Sequence, residues 1–333
     1  MKKILVLGSG TWGAVVANLL TKNGNSVVCW GRNKKLIDDL NVKHTHSKLP
    51  GVVFDEKIVF TNDFENSFID KDVIIYAVPS NAFREVVHNS IPFINDKQYF
   101  VSLTKGMEDK TLFTMSEIVE DEFKNNGIKN DKIVALSGPT HAEEVGKNLC
   151  SMIVSASKNE EAAKYCQDLF MNETFRVYTN SDIKGVEICA AFKNVIAIAT
   201  GIVSGLGNGD NIKAAIITRG LVEMIRVGEV LGCKKDTFYG LAGVGDMIVT
   251  ATSTNSRNYN CGMLIGKGMK PKDAIEKVGM VVEGVNFLPK AIQIRDKYGI
   301  DLPITSGVYE IIYNEKDCKN ILNLLMTRDK KAE

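Results

Sequence analysis

Residues 3–13 read Lys3-Ile4-Leu5-Val6-Leu7-Gly8-Ser9-Gly10-Thr11-Trp12-Gly13, an apolar run that leads directly into a Gly-x-Gly-x-x-Gly pattern. The run predicts a buried strand, and the apolar spacing of Gly13–Lys22 predicts a helix after it. In such a unit Gly8 permits a tight turn, Gly10 allows a pyrophosphate to approach the backbone, and Gly13 lets helix and strand pack closely. The helix N-terminus offers free N–H groups to the phosphates. Because the next predicted strand, Ser26–Trp30, completes the unit, the residues predict a dinucleotide site.

Short β-branched runs alternate with helical spacing along the first half of the chain. The predicted strands are Lys3–Gly8, Ser26–Trp30, Val73–Val78, Tyr99–Leu103, Ile133–Ser137 and Met152–Ser155, with Phe175–Tyr178 as a further candidate. This alternation, with helices such as Gly13–Lys22 and Leu112–Phe123, predicts a parallel sheet covered on both faces.

After about Asp182 the pattern becomes helical and glycine-rich breaks separate the segments. The predicted helices are Ile188–Val203, Ile212–Leu231, Ser256–Ile265, Lys272–Val278, Glu283–Tyr298 and Thr305–Tyr313. We therefore expect an α/β chain: an N-terminal Rossmann-type doubly wound sheet over residues 1–184, followed by an all-helical C-terminal domain over residues 185–333.

The residues after the second strand, Trp30-Gly31-Arg32-Asn33, bear on the choice of cofactor. An acid at this point would hydrogen-bond the ribose hydroxyls of NAD and repel a 2′-phosphate. No acid is present, and Arg32 could pair with a 2′-phosphate, so NADP is at least permitted beside NAD. The alternative, a solvated arginine near a helix start, has equal weight.

Lys193 is the strongest candidate for proton transfer. It is the only charged residue in the apolar run 188–199. A helix this apolar is buried nearly all round, where an ammonium group is costly without a partner or a task. Reduction of a ketone by hydride leaves an alkoxide, so a proton donor is needed beside it. The structural alternative is a lysine that reaches the surface or forms an ion pair.

Two further segments of the helical half carry polar groups. Asp246 ends the glycine-rich run 240–246, and its carboxylate could pair with Lys193, bind a substrate hydroxyl or cap a helix. Ser256-Arg257-Asn258 stands at an apparent helix start, where N–H groups and a guanidinium favour a phosphate or carboxylate. An ordinary cap by Ser256 is the alternative there.

Two loops follow predicted strands of the first half. Lys105-Gly106 comes after Tyr99–Leu103, and Ser137-Gly138-Pro139-Thr140 comes after Ile133–Leu136. Both lie at the carboxyl end of the predicted sheet, where ligands bind in open α/β folds. Each could equally be an ordinary turn.

Composition narrows the class of protein. The 333 residues are 44% hydrophobic and 24% charged, and the net charge is only +1. Balanced charge without a basic run argues against nucleic acid or a polybasic membrane contact and favours a small-molecule partner. Seven scattered cysteines without a Cys-x-x-Cys pair indicate free thiols in a reducing cytoplasm. The apolar run Ile188–Val203 is too short for a membrane span and contains Lys193, so we expect no membrane span. His44 and His46 lack a third ligand, so we expect no metal site.

Taken together, these segments resemble the bacterial-type NAD(P)-dependent sn-glycerol-3-phosphate dehydrogenases, which interconvert dihydroxyacetone phosphate and sn-glycerol 3-phosphate. The resemblance covers almost the whole chain. Its most specific parts are Lys193-Asn194-Val195-Ile196-Ala197, the 240–246 run and Ser256-Arg257-Asn258. Small departures, such as Thr11 and Thr140 in place of serine, retain the hydroxyl.

The resemblance implies roles for individual residues. Lys193 matches the proton donor and acceptor. Substrate contacts are implied for Lys105, Gly138, Thr140, Lys193, Asp246, Ser256, Arg257 and Asn258. Beside the glycines of the turn, dinucleotide contacts are implied for Thr11, Trp12, Arg32, Asn33, Lys105, Ala142, Arg257, Val281 and Glu283. It also implies a cytoplasmic enzyme that supplies glycerol 3-phosphate for phospholipid synthesis.

Two other interpretations remain open. A 3-hydroxyacid dehydrogenase would share the layout and the helix lysine but bind a carboxylate. A non-catalytic dinucleotide sensor would have no use for a buried lysine. The sequence leaves the oligomeric state open, a homodimer included.

Overall fold

The computed structural model describes residues 1–330. The chain divides into two compact units, Met1–Glu187 and Ile188–Glu333. The longest helix, Ile183–Gly205, runs across this division.

The first unit is built on one eight-stranded sheet. Its strands are β1 Lys3–Leu7, β2 Ser26–Trp30, β3 Val59–Thr61, β4 Val73–Tyr76, β5 Tyr99–Ser102, β6 Ile133–Ser137, β7 Ser151–Ala156 and β8 Phe175–Asn180. They lie in the order β3-β2-β1-β4-β5-β6-β7-β8. From β1 the chain first adds strands on one side of the sheet, β2 and β3, and then adds β4 and the later strands on the other side. The change of side next to β1 is the topological switch point of a doubly wound sheet.

Helices cover both faces of this sheet. They are α1 Thr11–Lys22, α2 Lys34–Lys43, α3 Phe64–Ser67, α4 Phe83–Ser90, α5 Met115–Asn125, α6 Ala142–Gly146 and α7 Glu160–Phe170. Successive residues of β5 point to opposite faces: Phe100 stacks edge-on against Phe123 of α5, 4.8 Å between ring centroids, while Val101 joins the core that contains α1 and α7. The Rossmann-type class is thereby confirmed.

Two strands differ from the prediction: β7 in its direction, and β3 because it was not predicted. β7 runs antiparallel to β6, so the sheet is mixed and not wholly parallel. The link between them, residues 138–150, holds only the five-residue α6, whereas the longer helices α1 and α7 join strands that pair in parallel. β3 has three residues at the sheet edge, below the length at which an apolar pattern is recognisable in a sequence.

The second unit is helical throughout its described part. Its helices are α8 Ile183–Gly205, α9 Asp210–Val230, α10 Lys235–Tyr239, α11 Asp246–Thr252, α12 Arg257–Gly266, α13 Pro271–Val278, α14 Glu283–Tyr298, α15 Pro303–Tyr313 and α16 Cys318–Met326. Of these, α10 and α11, with five and seven residues, are too short for apolar spacing to be recognised in the sequence, and α16 was also not predicted. Helix α8 begins five residues before the predicted start at Ile188.

Helix α8 is the centre of this unit. Its 23 residues are long and apolar enough to pass a length-and-composition test for a membrane span, but the 18-residue window that passes is entirely buried in the protein. That burial is typical of a core helix. The backbones of α8 and α12 approach closely: a Cβ on Gly201 would lie 2.1 Å from the Tyr259 carbonyl oxygen, and one on Gly262 would lie 2.1 Å from that of Ile198. This contact fixes α12 against the segment that carries Lys193.

A buried glutamate holds the start of one helix in each unit. In the first unit, Glu187 accepts hydrogen bonds from the Ser116 N–H and hydroxyl at 2.9 and 2.5 Å, at the start of α5. In the second, Glu223 accepts from the N–H groups of Ile304 and Thr305 at 2.6 and 3.0 Å, at the start of α15. Burial raises the pKa of each carboxyl to about 7, although these hydrogen bonds act to lower it.

We expect the stability of the fold to fall as pH rises from about 4.5 to 7. In that window the folded state keeps a proton on Glu223 that the unfolded chain has released, so each pH unit costs roughly 1.4 kcal/mol. Urea unfolding of the wild type and of Glu223→Gln should therefore show the wild type losing about 3 kcal/mol relative to the variant across this window. Curves that stay parallel from pH 4.5 to 7 would mean that Glu223 is ionised in the folded protein.

Candidate functional site

In the first unit the predicted ligand residues gather at one edge of the sheet. Gly8 follows β1, Arg32 follows β2, Lys105 follows β5 and Gly138 follows β6. These four strands are parallel, so their carboxyl ends meet at the same edge. That edge is where open α/β sheets bind ligands.

The glycine-rich turn has the close packing that its sequence predicts. Gly8 adopts φ +130°, and a Cβ there would lie 2.4 Å from the Ala77 carbonyl oxygen. A Cβ on Gly13 would lie 1.9 Å from the Gly8 carbonyl oxygen, so the helix can approach the strand only without a side chain at this point. Gly10 differs, since it is exposed and nothing lies within 4 Å of an added Cβ. The backbone there is open to a ligand of the size of a phosphate.

Helix α1 presents its N-terminus at this turn. Gly10 is the N-cap, no side chain caps the helix, and its first turn contains no acid. Thr11 and Trp12 are its first residues and are half-buried. Uncompensated N–H groups and the positive dipole end therefore suit a pyrophosphate. The cradle fits the diphosphate of a dinucleotide.

After β2, the two predicted cofactor residues differ in role. Asn33 is the N-cap of α2, and its side-chain oxygen accepts from the Leu36 N–H at 3.2 Å. Arg32, one residue before it, is exposed. The structure therefore leaves open both alternatives for Arg32, a solvated arginine or a partner for a 2′-phosphate.

The loops after β5 and β6 bring the other first-unit residues to the same edge. Lys105 is half-buried and precedes Gly106, which adopts φ +146°. Thr140 is half-buried and its hydroxyl donates to the Gly138 carbonyl at 3.2 Å. Gly138 is packed against β7, where a Cβ would lie 3.0 Å from the Cα of Ile153. Ala142 is buried at the start of α6.

In the second unit, Lys193 is buried with an acid. Only 5% of the residue is exposed, so it does not reach the surface. Its ammonium group donates to the carboxylate of Asp246, itself 1% exposed, and to the hydroxyl of Thr250 at 2.9 Å. Of the alternatives that the sequence left for Asp246, the ion pair with Lys193 is therefore present.

Thr250 is a third member of this cluster, and the sequence did not single it out. Its hydroxyl donates to the Asp246 carbonyl at 2.6 Å, which leaves the oxygen lone pairs to accept from Lys193. Asp246 and Thr250 lie four residues apart on α11, so both side chains face α8. That spacing was the available signal, but the segment was not predicted as a helix. A π-helical turn, Leu241–Gly245, precedes α11 and sets where the helix begins.

A second set of contacts lies one residue along α8. The side-chain oxygen of Asn194 accepts from the Asn258 amide at 2.9 Å, and the Asn258 oxygen accepts from the Gly284 N–H at 2.9 Å. Asn258 is buried and joins α8, α12 and the start of α14.

At the start of α12, fewer side chains are available to bind an anion than the sequence suggested. Ser256 is the N-cap, and its oxygen accepts from the Tyr259 N–H at 3.2 Å, which is the ordinary cap that the sequence left as the alternative. Arg257 is exposed and donates to the Val281 carbonyl at 3.1 Å. Val281 is itself exposed, and Glu283 begins α14. Arg257 is therefore the group of this segment that presents a charge to solvent.

The arrangement of Lys193, Asp246 and Thr250 can move a proton. An ammonium group held against a carboxylate in a buried site has a fixed position, and the carboxylate compensates its positive charge. Within residues 1–330, no three His, Cys, Asp or Glu side chains are grouped so that they could hold a metal.

Comparison with known proteins identifies the family to which the chain belongs. Two family models match, described as the NAD-dependent glycerol-3-phosphate dehydrogenase N-terminus over residues 3–163 and the C-terminus over residues 182–323. The chain is 47% identical to glycerol-3-phosphate dehydrogenase NAD(P)+ 2 of Lactobacillus delbrueckii, covering 100% of this chain and 99% of that one. It is also 47% identical to glycerol-3-phosphate dehydrogenase NAD(P)+ of Bacillus subtilis, covering 100% and 96%.

A solved structure shows the same fold. The crystal structure of glycerol-3-phosphate dehydrogenase from Coxiella burnetii superposes with a TM-score of 0.92 at 34% identity, over 98% of this chain and 99% of that one. The resemblance drawn from the sequence is thus confirmed, and the chain belongs to the family of NAD-dependent glycerol-3-phosphate dehydrogenases.

Proposed function

We propose that this chain reduces dihydroxyacetone phosphate to sn-glycerol 3-phosphate, and catalyses the reverse oxidation, with NADH or NADPH. Lys193 donates the proton that the substrate oxygen takes up during reduction and accepts it during oxidation. When bound, the nicotinamide supplies the hydride.

The buried ion pair of Lys193 carries this proposal. A lysine ammonium held by Asp246 and Thr250 inside an apolar helix bundle is costly to bury unless it serves a purpose. Placed beside a ketone, it protonates the oxygen on which negative charge develops. Asp246 compensates the charge and keeps the ammonium group in a fixed orientation.

The remaining assigned residues supply binding. Besides Lys193, the substrate residues we propose include two cations, Lys105 and Arg257, and a phosphate dianion needs such partners. The turn at Gly10 and the first residues of α1 bind the diphosphate of the cofactor.

Kinetics with both cofactors test whether Arg32 binds the 2′-phosphate of NADPH. If its guanidinium pairs with the 2′-phosphate, Arg32→Ser should raise the KM for NADPH about tenfold, as expected for loss of a charge-assisted hydrogen bond, and leave the KM for NADH unchanged. Arg176→Ser, at an exposed arginine of β8, is the matched control. An unaltered ratio of the two KM values in Arg32→Ser would show that Arg32 is only a solvated residue.

A substrate panel tests the proposed function. The purified chain should oxidise NADH or NADPH when dihydroxyacetone phosphate is added. A preference for 3-oxo acids would favour a 3-hydroxyacid dehydrogenase. Absence of oxidation with every ketone would favour a dinucleotide sensor.

Three further predictions accompany the function. We expect the enzyme to act in the cytoplasm, to supply glycerol 3-phosphate for phospholipid synthesis, and to be able to form a homodimer. Fractionation, lipid labelling in a strain that lacks the enzyme, and sedimentation of the purified chain are the corresponding measurements.

A further inference from the structure

One arginine of the first unit holds three carboxylates. The Arg84 guanidinium on α4 forms a fork with Glu108, through Nε at 2.5 Å and Nη2 at 2.8 Å. Its Nη1 donates to Asp121 at 2.6 Å and to Glu122 at 2.7 Å, both on α5. The Arg84 side chain is 29% exposed, and that of Glu122 only 9%. Four charge-assisted bonds therefore connect α4, α5 and the segment that contains Glu108.

Glu108 lies on the loop that carries Lys105. On one side of the lysine, the Thr104 hydroxyl donates to the Val78 carbonyl at 2.7 Å. On the other side, the loop folds back on itself, with the Glu108 N–H donating to the Phe113 carbonyl at 2.9 Å. Gly106 between them adopts φ +146°. Lys105 thus sits between two anchors, Thr104 and Glu108, and the Glu108 side chain fastens the second one to Arg84.

The charges around Arg84 make this anchor dependent on the guanidinium. The three carboxylates Glu108, Asp121 and Glu122 share one arginine, while His88 meets Glu122 at 2.9 Å through Nδ1. Arg84 also holds the pKa of the Glu108 carboxyl below its usual range through the fork. Without Arg84 the like charges would repel. The Thr111 hydroxyl, which also donates to the Glu108 carboxylate, lies on the same loop, so it would not hold Glu108 near the two acids of α5.

We propose that Arg84, acting through Glu108, is a positioning residue that holds the Lys105–Gly106 turn in the geometry needed to bind the phosphate of the substrate. The inference rests on the proposed function, because it takes Lys105 as a ligand of that phosphate. Movement of the turn would weaken the charge-assisted contact between Lys105 and the phosphate, so a fixed turn has a measurable consequence for substrate binding.

The test is the effect of Arg84→Met on dihydroxyacetone phosphate reduction. We expect the KM for the ketone phosphate to rise about tenfold while kcat changes less than about threefold. Arg84→Lys, which keeps the charge but not the fork, should fall between Arg84→Met and the wild type. Arg176→Met is the matched control and should behave as the wild type. Hydrogen exchange of residues 104–113 should speed up in Arg84→Met and not in the control.

A double-mutant cycle separates positioning from general stability. In a Lys105→Met background, adding Arg84→Met should change the KM by less than about twofold, because the group that Arg84 positions is absent. A full tenfold effect in that background, or no KM change in Arg84→Met alone, overturns the inference. If Lys105→Met itself leaves the KM unchanged, the assignment of Lys105 in the proposed function fails and the inference fails with it.

Discussion

Replacing Lys193 with methionine should lower kcat for dihydroxyacetone phosphate reduction by roughly 10²–10⁴-fold, the usual contribution of general acid–base catalysis. The variant side chain keeps most of the length and apolar character of lysine but loses the ammonium group that donates to Asp246. Steady-state kinetics at saturating NADPH measures the change. A variant that keeps near-normal turnover would show that the proton comes from elsewhere.

A second buried lysine supplies the control for this experiment. Lys290 on α14 is 4% exposed, and its ammonium group donates to the Asn286 carbonyl at 2.7 Å. Lys290→Met removes an ammonium group of similar burial from the same unit. We expect its kcat, per folded molecule, to stay close to that of the wild type. Equal losses in both variants would point to a common effect on the fold.

Asp246→Asn should lower the free energy of unfolding by about 3–5 kcal/mol. The substitution leaves the Lys193 ammonium buried beside an amide that cannot compensate its charge. Urea unfolding followed by circular dichroism gives the difference directly. A loss below about 1 kcal/mol, the size found for exposed pairs, would contradict the buried ion pair.

The double variant Lys193→Met/Asp246→Asn should recover most of that stability. With both charges removed, neither partner is left uncompensated, so the two single effects should not add. The double variant should nevertheless stay as inactive as Lys193→Met. It therefore separates the loss of chemistry from the loss of folding, even if one single variant proves too unstable to assay.

Local signals in the sequence predicted the packing of the glycine-rich turn. Gly8, Gly10 and Gly13 form a pattern with a fixed spacing between a strand and a helix. That pattern reflects the close packing of strand and helix seen around Gly8 and Gly13. Lys193 could be singled out for a similar reason, because one charge in a long apolar run is a local anomaly.

Contacts between distant segments could not be predicted in the same way. Thr250 meets Lys193 across 57 residues, and nothing in its own neighbourhood marks it as more than a helix residue. The antiparallel β7 depends on how the chain turns after β6, which apolar alternation does not record. Arg84 and Glu108 are 24 residues apart, and in the sequence each of them alone looks like an ordinary surface charge. Only the fold shows that they meet at the loop of Lys105.

The central claim is tested most directly by incubating the purified chain with NADPH or NADH and dihydroxyacetone phosphate, and identifying the product. The account predicts that one cofactor is oxidised per ketone consumed, that the product is sn-glycerol 3-phosphate, and that Lys193→Met abolishes most of this reaction. Cofactor oxidation with a 3-oxo acid and none with dihydroxyacetone phosphate, or a product of the opposite configuration, would contradict it.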